Sequence, residues 1–379
     1  MKEGWEYKTL GEVCKIYNGN SINADYKKKH FLGATGGLPF IATKDVSPLG
    51  TIEYNNGVRI PNYEDYKVAP ANSVFICAEG GSAGKKFAYV EKDVCFGNKL
   101  FCITPKDKAI TGKFIYNFVQ SDNFRGQFFS LLTGLIGGVS AKKFQTIEIP
   151  VPSLSEQQSI VDYLDSAFAK IDAMKANAEK ALNETKALFQ ASLKEMLEPK
   201  EGWEEKTLPE ISENLDSIRK PVTKGKRTAG IYPYYGASGI VDYVDDYLFD
   251  EDLLCISEDG ANLLMRTYPI AFPISGKVWV NNHAHVLRFK SIITQKYVEY
   301  YFSGMKLDEY ITGAAQPKLT QKALNNIIIN LPSTLDTQQS IVATLDSLKS
   351  KVDRLQANFE KISQECNALK QAILRQVFE

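Results

Sequence analysis

The chain has 379 residues, of which 44% are hydrophobic and 24% charged, and this composition predicts a globular protein of two or three domains. Its 45 basic residues balance its 45 acidic residues, so any affinity for a polyanion must come from local patches and not from bulk charge. No apolar segment follows the charges at the start, and no later stretch of eighteen residues is free of charge, which predicts a cytoplasmic protein without a membrane span.

Two motifs occur twice in the chain. KEGWEYKTL at 2–10 returns as KEGWEEKTL at 200–208, with eight identities in nine positions. IPVPSLSEQQSIVDYLDS at 149–166 returns as INLPSTLDTQQSIVATLDS at 329–347. Because the ends match and the segments between them do not, we predict two modules with a common support and different targets. Module 1 is 1–154 and module 2 is 199–335.

The interiors of both modules mix strand and helix patterns. Short apolar runs predict strands at 73–78, 100–104, 253–257 and 278–282, and helices are predicted at 113–121 and 295–303. Six cysteines are spread along the chain without a C-x-x-C pair, which predicts reduced thiols that act as small hydrophobic side chains. The fold class predicted for each module is therefore α+β.

A long helix is predicted after each module, at 155–198 and at 336–379. Ser155 and Asp336 are the expected N-terminal caps. Apolar residues then recur at alternating steps of four and three, which predicts a seam that packs on another helix. The first seam contains Ile160, Leu164, Ala167, Ile171, Met174, Ala178 and Ala181, and the second contains Ile341, Leu345, Leu348, Val352, Leu355, Phe359, Ile362, Cys366, Leu369 and Ile373.

Motifs for catalysis are weak or missing. GGSAGKK at 80–86 departs from the phosphate-loop pattern at Glu79 and Lys86, so it is interpreted as a flexible basic loop or a surface turn. No N-P-P-[FY] or D-P-P-[YF] motif is present to hold a target amine, and the two E-x-K triplets lack an upstream P-D pair. His283 and His285 could share one side of a strand as metal ligands, but no third ligand is near in sequence, which favours structural or surface histidines.

Basic and aromatic clusters in the modules suggest contacts with nucleic acid. YPYYGASGIVDYVDDY at 232–247 places tyrosines around a glycine turn, and SGKVWVNNHAH at 275–285 offers lysine and asparagine, which can contact phosphates and base edges. The alternative is that most of these tyrosines are core or turn residues. The candidate DNA-binding residues are Lys85, Lys86, Lys142, Lys143, Tyr234, Tyr235, Ser238, Lys277, Asn281 and Asn282.

These features together resemble the specificity subunits of type I restriction-modification systems. The resemblance rests on GWEYKTLGEV and GWEEKTLPEI at the module starts, on 133–161 and 312–342 at the module ends, and on the long helices after them. It implies an α+β fold with two target recognition domains, 1–154 and 199–335, separated by two long conserved helices, 155–198 and 336–379. An approximate twofold relation between the modules favours pairing of these helices as an antiparallel coiled coil.

The resemblance also implies a function. Each target recognition domain would read one half of a bipartite, asymmetric double-stranded DNA site, and the paired helices would fix the gap. Two modification subunits would methylate adenine with S-adenosylmethionine, and restriction subunits would cleave DNA with ATP and Mg, while this chain binds no cofactor. A stand-alone DNA methyltransferase or nuclease and a coiled-coil scaffold without DNA contact are the alternatives.

Overall fold

The structure is a computed structural model that describes residues 4–133, 137–313 and 316–379. The chain forms two compact units. Unit 1 comprises Met1–Asn177 and Glu360–Glu379, and unit 2 comprises Ala178–Phe359. Module 1 lies in unit 1, module 2 lies in unit 2, and each long helix contributes one segment to each unit.

Unit 1 contains ten strands and five short helices among its described residues. The strands are β1 (Glu6–Thr9), β2 (Cys14–Asn18), β3 (Leu38–Ile41), β4 (Arg59–Ile60), β5 (Val68–Ala69), β6 (Ser73–Cys77), β7 (Phe87–Val90), β8 (Val94–Phe96), β9 (Leu100–Pro105) and β10 (Glu148–Val151). The helices are α1 (Leu10–Val13), α2 (Ala24–His30), α3 (Gly112–Phe118), α4 (Asp122–Ser130) and α5 (Ala141–Phe144).

These strands form two four-stranded sheets and one two-stranded pair. The first sheet has the order β2-β9-β6-β7, and the second has the order β4-β3-β8-β5, in which β3 and β8 are parallel. Every residue of β6 is buried, because its alternate side chains enter two different cores. β1 pairs with β10, which joins the two repeated motifs at the base of the module.

The long helix α6 (Leu154–Leu197) leads into unit 2. The strands there are β11 (Trp203–Thr207), β12 (Ser212–Asn214), β13 (Ala229–Gly236), β14 (Gly239–Val244), β15 (Phe249–Asp250), β16 (Leu253–Ser257), β17 (Ala271–Ile274), β18 (Lys277–Val280), β19 (Ala284–Phe289), β20 (Ile311–Thr312), β21 (Lys318–Leu319) and β22 (Ile328–Pro332). The helices are α7 (Leu208–Ile211), α8 (Asn262–Met265), α9 (Ile292–Gly304), α10 (Gln321–Asn325) and the long α11 (Leu335–Phe378).

Unit 2 has the same sheet topology as unit 1. Its sheets have the orders β12-β19-β16-β17 and β14-β13-β18-β15, β13 and β18 are parallel, and β11 pairs with β22. Each strand of unit 2 corresponds to the strand that has the same place in the matching sheet order of unit 1. The duplication therefore extends into the module interiors, although their sequences do not reveal it. The α+β fold class is confirmed.

The predicted caps of the long helices are wrong. Ser155 and Asp336 lie inside α6 and α11, which begin one residue earlier than predicted. Ser153 Oγ accepts a hydrogen bond from the Glu156 amide, and Thr334 Oγ1 accepts one from the Thr337 amide, each at 3.3 Å. These hydroxyls cap the helices because they reach amides of the first turn that have no partner within the helix.

The predicted seam holds for most of α11 but shifts in α6. Leu345 and Cys366 of α11 are buried as predicted, whereas Leu369 is 48% exposed. In α6, Met174 is 60% exposed and Ala181 is exposed, so both predictions are wrong. Leu182 is buried instead of Ala181, because the larger side chain removes more apolar area from water.

The two long helices pair antiparallel, as predicted. In unit 1, Lys370 Nζ on α11 lies 2.6 Å from Asp172 Oδ1 on α6. In unit 2, Lys186 Nζ on α6 lies 2.8 Å from Gln356 Oε1 on α11. From the first contact to the second, the residue number rises by 14 on α6, from 172 to 186, and falls by 14 on α11, from 370 to 356.

The repeated QQSIV motif fixes α6 to module 1 through one buried glutamine. Gln157 Nε2 donates to the carbonyl oxygens of Ala109 at 2.8 Å and Pro152 at 2.9 Å, and Gln157 Oε1 accepts from the Thr111 amide at 3.0 Å. The next residue, Gln158, is exposed. The buried side chain therefore satisfies three backbone groups where the helix leaves the module.

Gln338 has the same role in unit 2. Its Nε2 donates to the Pro332 carbonyl oxygen at 2.9 Å, and its Oε1 accepts from Thr294 Oγ1 at 2.8 Å. The first repeated motif is also structural, since Thr9 with Glu12 and Thr207 with Glu210 form capping boxes at α1 and α7.

All six cysteines are buried and free, as predicted. In the described ranges, no helix is both long enough and apolar enough to cross a membrane.

Candidate nucleic-acid interface

The candidate lysines of module 1 differ in exposure. Lys85 is exposed in the loop between β6 and β7, whereas Lys86 is half-buried and its Nζ donates to the Thr43 carbonyl oxygen at 3.0 Å. Lys142 and Lys143 are both exposed on α5. Three of these four side chains are therefore available to a phosphate, and Lys86 holds the loop.

Tyr234 does not fit a direct contact with DNA. Its side chain is 1% exposed, its hydroxyl accepts a hydrogen bond from the Val222 amide at 2.9 Å, and the Arg227 guanidinium lies 4.2 Å from its ring centroid. The prediction for Tyr234 is corrected accordingly: the side chain is closed in by β13 and the segment before it. Tyr234 is thus a core residue, as the alternative interpretation of these tyrosines has it.

Most other candidates of module 2 lie near one end of the parallel pair β13 and β18. Tyr235 is half-buried next to Asn281, whose amide donates to the Tyr235 carbonyl oxygen at 3.1 Å. Ser238, in the turn after β13, and Asn282 are exposed. Lys277 is also exposed but lies at the other end of β18, with its Nζ 4.7 Å from the Tyr247 ring centroid.

The turn between β18 and β19, residues 281–283, is held from both sides. Asn281 is buried, and its Oδ1 accepts from the His283 amide at 2.8 Å. The His283 carbonyl oxygen accepts from the Glu258 amide at 2.9 Å, and His283 Nδ1 lies 2.8 Å from Asp259 Oδ2. Asn282 and His283 are both exposed on this fixed backbone, but the His283 side chain is paired with Asp259.

The turn between β8 and β9 of module 1, residues 97–99, has the corresponding bonds. The Gly97 amide donates to the Ile41 carbonyl oxygen, and the Lys99 carbonyl oxygen accepts from the Ala78 amide, both at 2.9 Å. Lys99 Nζ lies 3.9 Å from Glu79 Oε1, at the position of the pair between His283 and Asp259. The two turns are thus equivalent in length, strands and hydrogen bonds.

A pocket of about 300 Å³ opens beside the turn of module 1. Lys27, Lys44 and Lys99 line it together with Asn20 and Asn98, and none of its described lining residues is a carboxylate. Three cationic side chains around one concavity suit a phosphate group. Sequence reasoning placed none of these residues among the site candidates.

Module 2 has a buried ionic cluster beneath its turn, formed by Asp216, Arg219, Glu258 and His285. Arg219 lies 3.2 Å from Asp216 and 2.7 Å from Glu258. His285 Nδ1 lies 2.6 Å from Asp216 Oδ2, and Nε2 lies 2.8 Å from the Leu319 carbonyl oxygen. The cluster therefore ties the segment after β12 to β16, β19 and β21.

Burial favours the protonated form of both carboxyl groups in this cluster, but their partners outweigh it. Hydrogen bonds from His285 and the Val286 amide, with the positive charge of Arg219, hold the pKa of Asp216 below its usual value. Arg219, His285 and Lys318 likewise lower the pKa of Glu258. Both groups are therefore carboxylates at neutral pH.

The cluster brings together three metal-ligand types that the sequence separates. Asp216, Glu258 and His285 place one potential ligand atom each within 4.8 Å of the others. Arg219 already contacts both carboxylates, however, and both ring nitrogens of His285 have protein partners. This arrangement fits a structural histidine, the alternative that the sequence favoured.

The sequence family described as the type I restriction modification DNA specificity domain matches this chain twice, at 2–184 and at 200–364. The chain belongs to this family. Each match covers one module with part of the helix after it.

Two relatives and one solved structure agree with the family. A Haemophilus influenzae protein assigned as a type I restriction enzyme specificity subunit is 36% identical over 157 residues, which cover 41% of this chain and 40% of that protein. The Escherichia coli EcoprrI specificity subunit is 24% identical over 380 residues, covering 94% of this chain and 90% of that subunit. Several curated relatives are matched over only about two fifths of their own length.

The solved structure shows the same fold. It comes from work on complex assembly and conformational transition of a type I restriction-modification system, and it has a TM-score of 0.76 at 19% identity. The similarity covers 100% of this chain and 98% of that chain.

Within this family fold, Lys44, Asn98 and Lys99 are the site candidates that sequence reasoning missed. The signal was the triplet GNK between two fully apolar segments, VCF and LFC, which parallels NNH between VWV and AHV. The differing lengths of the modules hide this correspondence until the strands are paired.

Proposed function

We propose that this chain is the DNA specificity subunit of a type I restriction-modification complex and has no catalytic role of its own. Module 1, 1–154, and module 2, 199–335, each read one half of a bipartite, asymmetric site. The helical segments 155–198 and 336–379 are the spacer that sets the gap between the halves. Proteins that hold half-site readers at a fixed separation recognise sites of this kind.

The observation that carries the proposal is that one strand topology bears two sets of exposed side chains. The equivalent turns after β8 and β18 expose Asn98 and Lys99 in module 1 and Asn282 and His283 in module 2. The corresponding strands β3 and β13 are followed by connections of different length, 42–58 and 237–238, which expose Lys44 and Ser238. A common scaffold with different side chains at its turns is what two different half-sites require.

The contacts divide by chemistry. The exposed Lys85, Lys142 and Lys143 contact phosphates, which contributes affinity without sequence preference. Tyr235, Ser238, Lys277 and Asn282 are the proposed contacts of module 2. Lys86 and Asn281 act indirectly, because their hydrogen bonds hold the loops that present the others.

Catalysis belongs to partner subunits in this proposal. Two modification subunits methylate one adenine in each half-site with S-adenosylmethionine, and restriction subunits use ATP and Mg to move and cleave DNA. The work takes place in the cytoplasm because the DNA substrate is there.

The test of this proposal exchanges the interior of module 1. Residues 11–132 are replaced by the corresponding segment of another family member, and the variant is expressed with modification subunits. We expect methylation mapping of the host DNA to show a change in one half of the motif and no change in the other. A change in both halves contradicts independent modules.

The same system separates the alternatives. Methylation by the chain without partners would indicate an enzyme in its own right. Absence of sequence-specific DNA binding by the purified complex with modification subunits would indicate a scaffold. The exchange of 199–335 serves as the reciprocal control, since it should change only the other half of the motif.

A further inference from the structure

Asn98 and Asn282 occupy the same position in the two equivalent turns. Each is the central residue of a three-residue connection, between β8 and β9 in module 1 and between β18 and β19 in module 2. The strand residues directly before and after both turns, Phe96, Leu100, Val280 and Ala284, are fully buried, so each turn is anchored at both ends in a core.

The amide side chains of these two residues are available for a ligand. Both residues are exposed, and among the described residues neither side chain has a hydrogen-bond partner. The adjacent Asn281 differs, because it is buried and its Oδ1 accepts a hydrogen bond from the His283 amide. One of the two adjacent asparagines therefore supports the turn and the other projects from it.

The charges beside Asn98 suit a polyanion, and those beside Asn282 include one carboxylate that is paired. In module 1, Asn98 shares its pocket with Lys27, Lys44 and Lys99. The carboxylates Glu79 and Asp259 lie next to the turns, but Lys99 and His283 respectively lie against them. A nucleic acid that enters here meets lysines in module 1 and an amide group in both modules.

We propose, on the basis of the proposed function, that Asn98 and Asn282 are equivalent base-reading residues, one for each half-site. An asparagine amide offers one donor and one acceptor, which match the acceptor N7 and the donor N6 of adenine in the major groove. Asn98 reads an adenine in the half-site of module 1, and Asn282 reads an adenine in the half-site of module 2. The lysines of the pocket hold the neighbouring phosphates.

The test uses the full chain in complex with its modification subunits, on duplexes that contain the motif mapped by host methylation. Asn98→Ala and Asn282→Ala should each weaken binding to the cognate duplex by roughly 5- to 150-fold, the range of a bidentate base contact. Each loss should depend on one A·T pair. Replacing that pair should weaken the wild-type complex and leave the matching variant almost unaffected.

Two controls accompany these variants. Asn177→Ala and Asn183→Ala remove exposed asparagines of α6, and both should keep cognate affinity within about twofold. Asn98→Asp and Asn282→Asp keep the shape but lose the donor, so they should lose cognate binding as the alanine variants do.

The outcomes separate this inference from the function on which it rests. A wild-type complex with no preference for its motif overturns the proposed function itself. If the wild-type complex is specific but the alanine variants bind like the helix controls, the base-reading role is wrong. Equal weakening on every duplex, independent of sequence, also overturns it and identifies backbone contacts instead.

Discussion

Arg219 is the residue on which the buried cluster of module 2 depends. It contacts both Asp216 and Glu258, and the side chains of all three are at most 11% exposed. Among its described residues, module 1 has no such cluster at this place, because strand pairing puts Phe101 where module 2 has His285. One scaffold thus accepts either an aromatic core residue or an ion-paired histidine at the same site.

Arg219→Met should destabilise unit 2 by about 3 kcal/mol or more, because it removes a positive charge that two buried carboxylates share. Arg288→Met is the control. Arg288 also contacts two carboxylates, Glu213 and Glu251, but it is 39% exposed, so its loss should cost less than about 1 kcal/mol. Urea unfolding in a Trp5→Phe background reports unit 2 alone, since both remaining tryptophans lie there. If Arg219→Met and Arg288→Met destabilised unit 2 equally, burial would not be what makes the Arg219 ion pairs important for stability.

The pH dependence follows from the lowered pKa values of Asp216 and Glu258. A carboxyl group whose folded pKa lies below its unfolded value stabilises the fold fully above the unfolded pKa, and this contribution is lost as pH falls through the folded pKa. Unit 2 should therefore lose stability below about pH 4, near the unfolded values of Asp and Glu. Asp216→Asn should flatten this dependence between about pH 5 and 2.5, when urea midpoints are compared across that range. If the stability of Asp216→Asn fell with pH as steeply as that of the wild type, Asp216 would be excluded as a source of the pH dependence.

At the scale of elements, the buried glutamines show why a repeated motif need not be a binding motif. Gln157 satisfies three backbone groups at the point where α6 leaves module 1. The next residue, Gln158, is also a glutamine, but its side chain is exposed. The periodicity of α6 predicts which glutamine faces inward, but not the backbone groups that it meets.

Gln157→Ala should destabilise unit 1 by about 2–4 kcal/mol, because it leaves buried backbone groups without partners. Gln158→Ala, one position along, should change stability by less than about 0.5 kcal/mol. Unfolding is followed by Trp5 fluorescence after Trp203→Phe and Trp279→Phe, so that the signal reports unit 1. The role assigned to Gln157 fails if both alanine variants unfold at the same urea concentration.

The elements differ in how far sequence could predict them. The strand β16 lies where the apolar run placed it, since a fully buried strand needs no periodicity to be visible. The caps Ser153 and Thr334 were missed because Ser155 and Asp336 offer the same chemistry two residues later. The equivalence of β8 with β18 was missed, because the modules differ in length and only the pairing of strands distant in sequence aligns the two similar segments.

At the scale of the whole molecule, both long helices are shared by both units. Their heptad seam gives a way to lengthen them without changing which residues face inward. Insertion of seven residues after Asn177 in α6, with seven more after Phe359 in α11, preserves the register within each unit.

This double insertion adds roughly 10 Å at 1.5 Å per residue, or about three base pairs at 3.4 Å each. If the helices set the gap, the methylated motif should keep both halves and gain about three unspecified bases. Insertion into α6 alone is the control, because it breaks the pairing and should reduce activity. A motif with its original gap, in a complex that remains active, would show that the modules themselves set the spacing.

The division of the chain also fixes the order in which its parts can be completed during synthesis. Unit 2 is one continuous segment, so a ribosome that has translated Phe359 has supplied all of it. Unit 1 is encoded first, yet its core still lacks Leu374, Val377 and Phe378 at that moment. The half of the protein that is made first is therefore finished last, and a premature stop codon shortly after Phe359 should destabilise module 1, which is the module farthest from it in the gene.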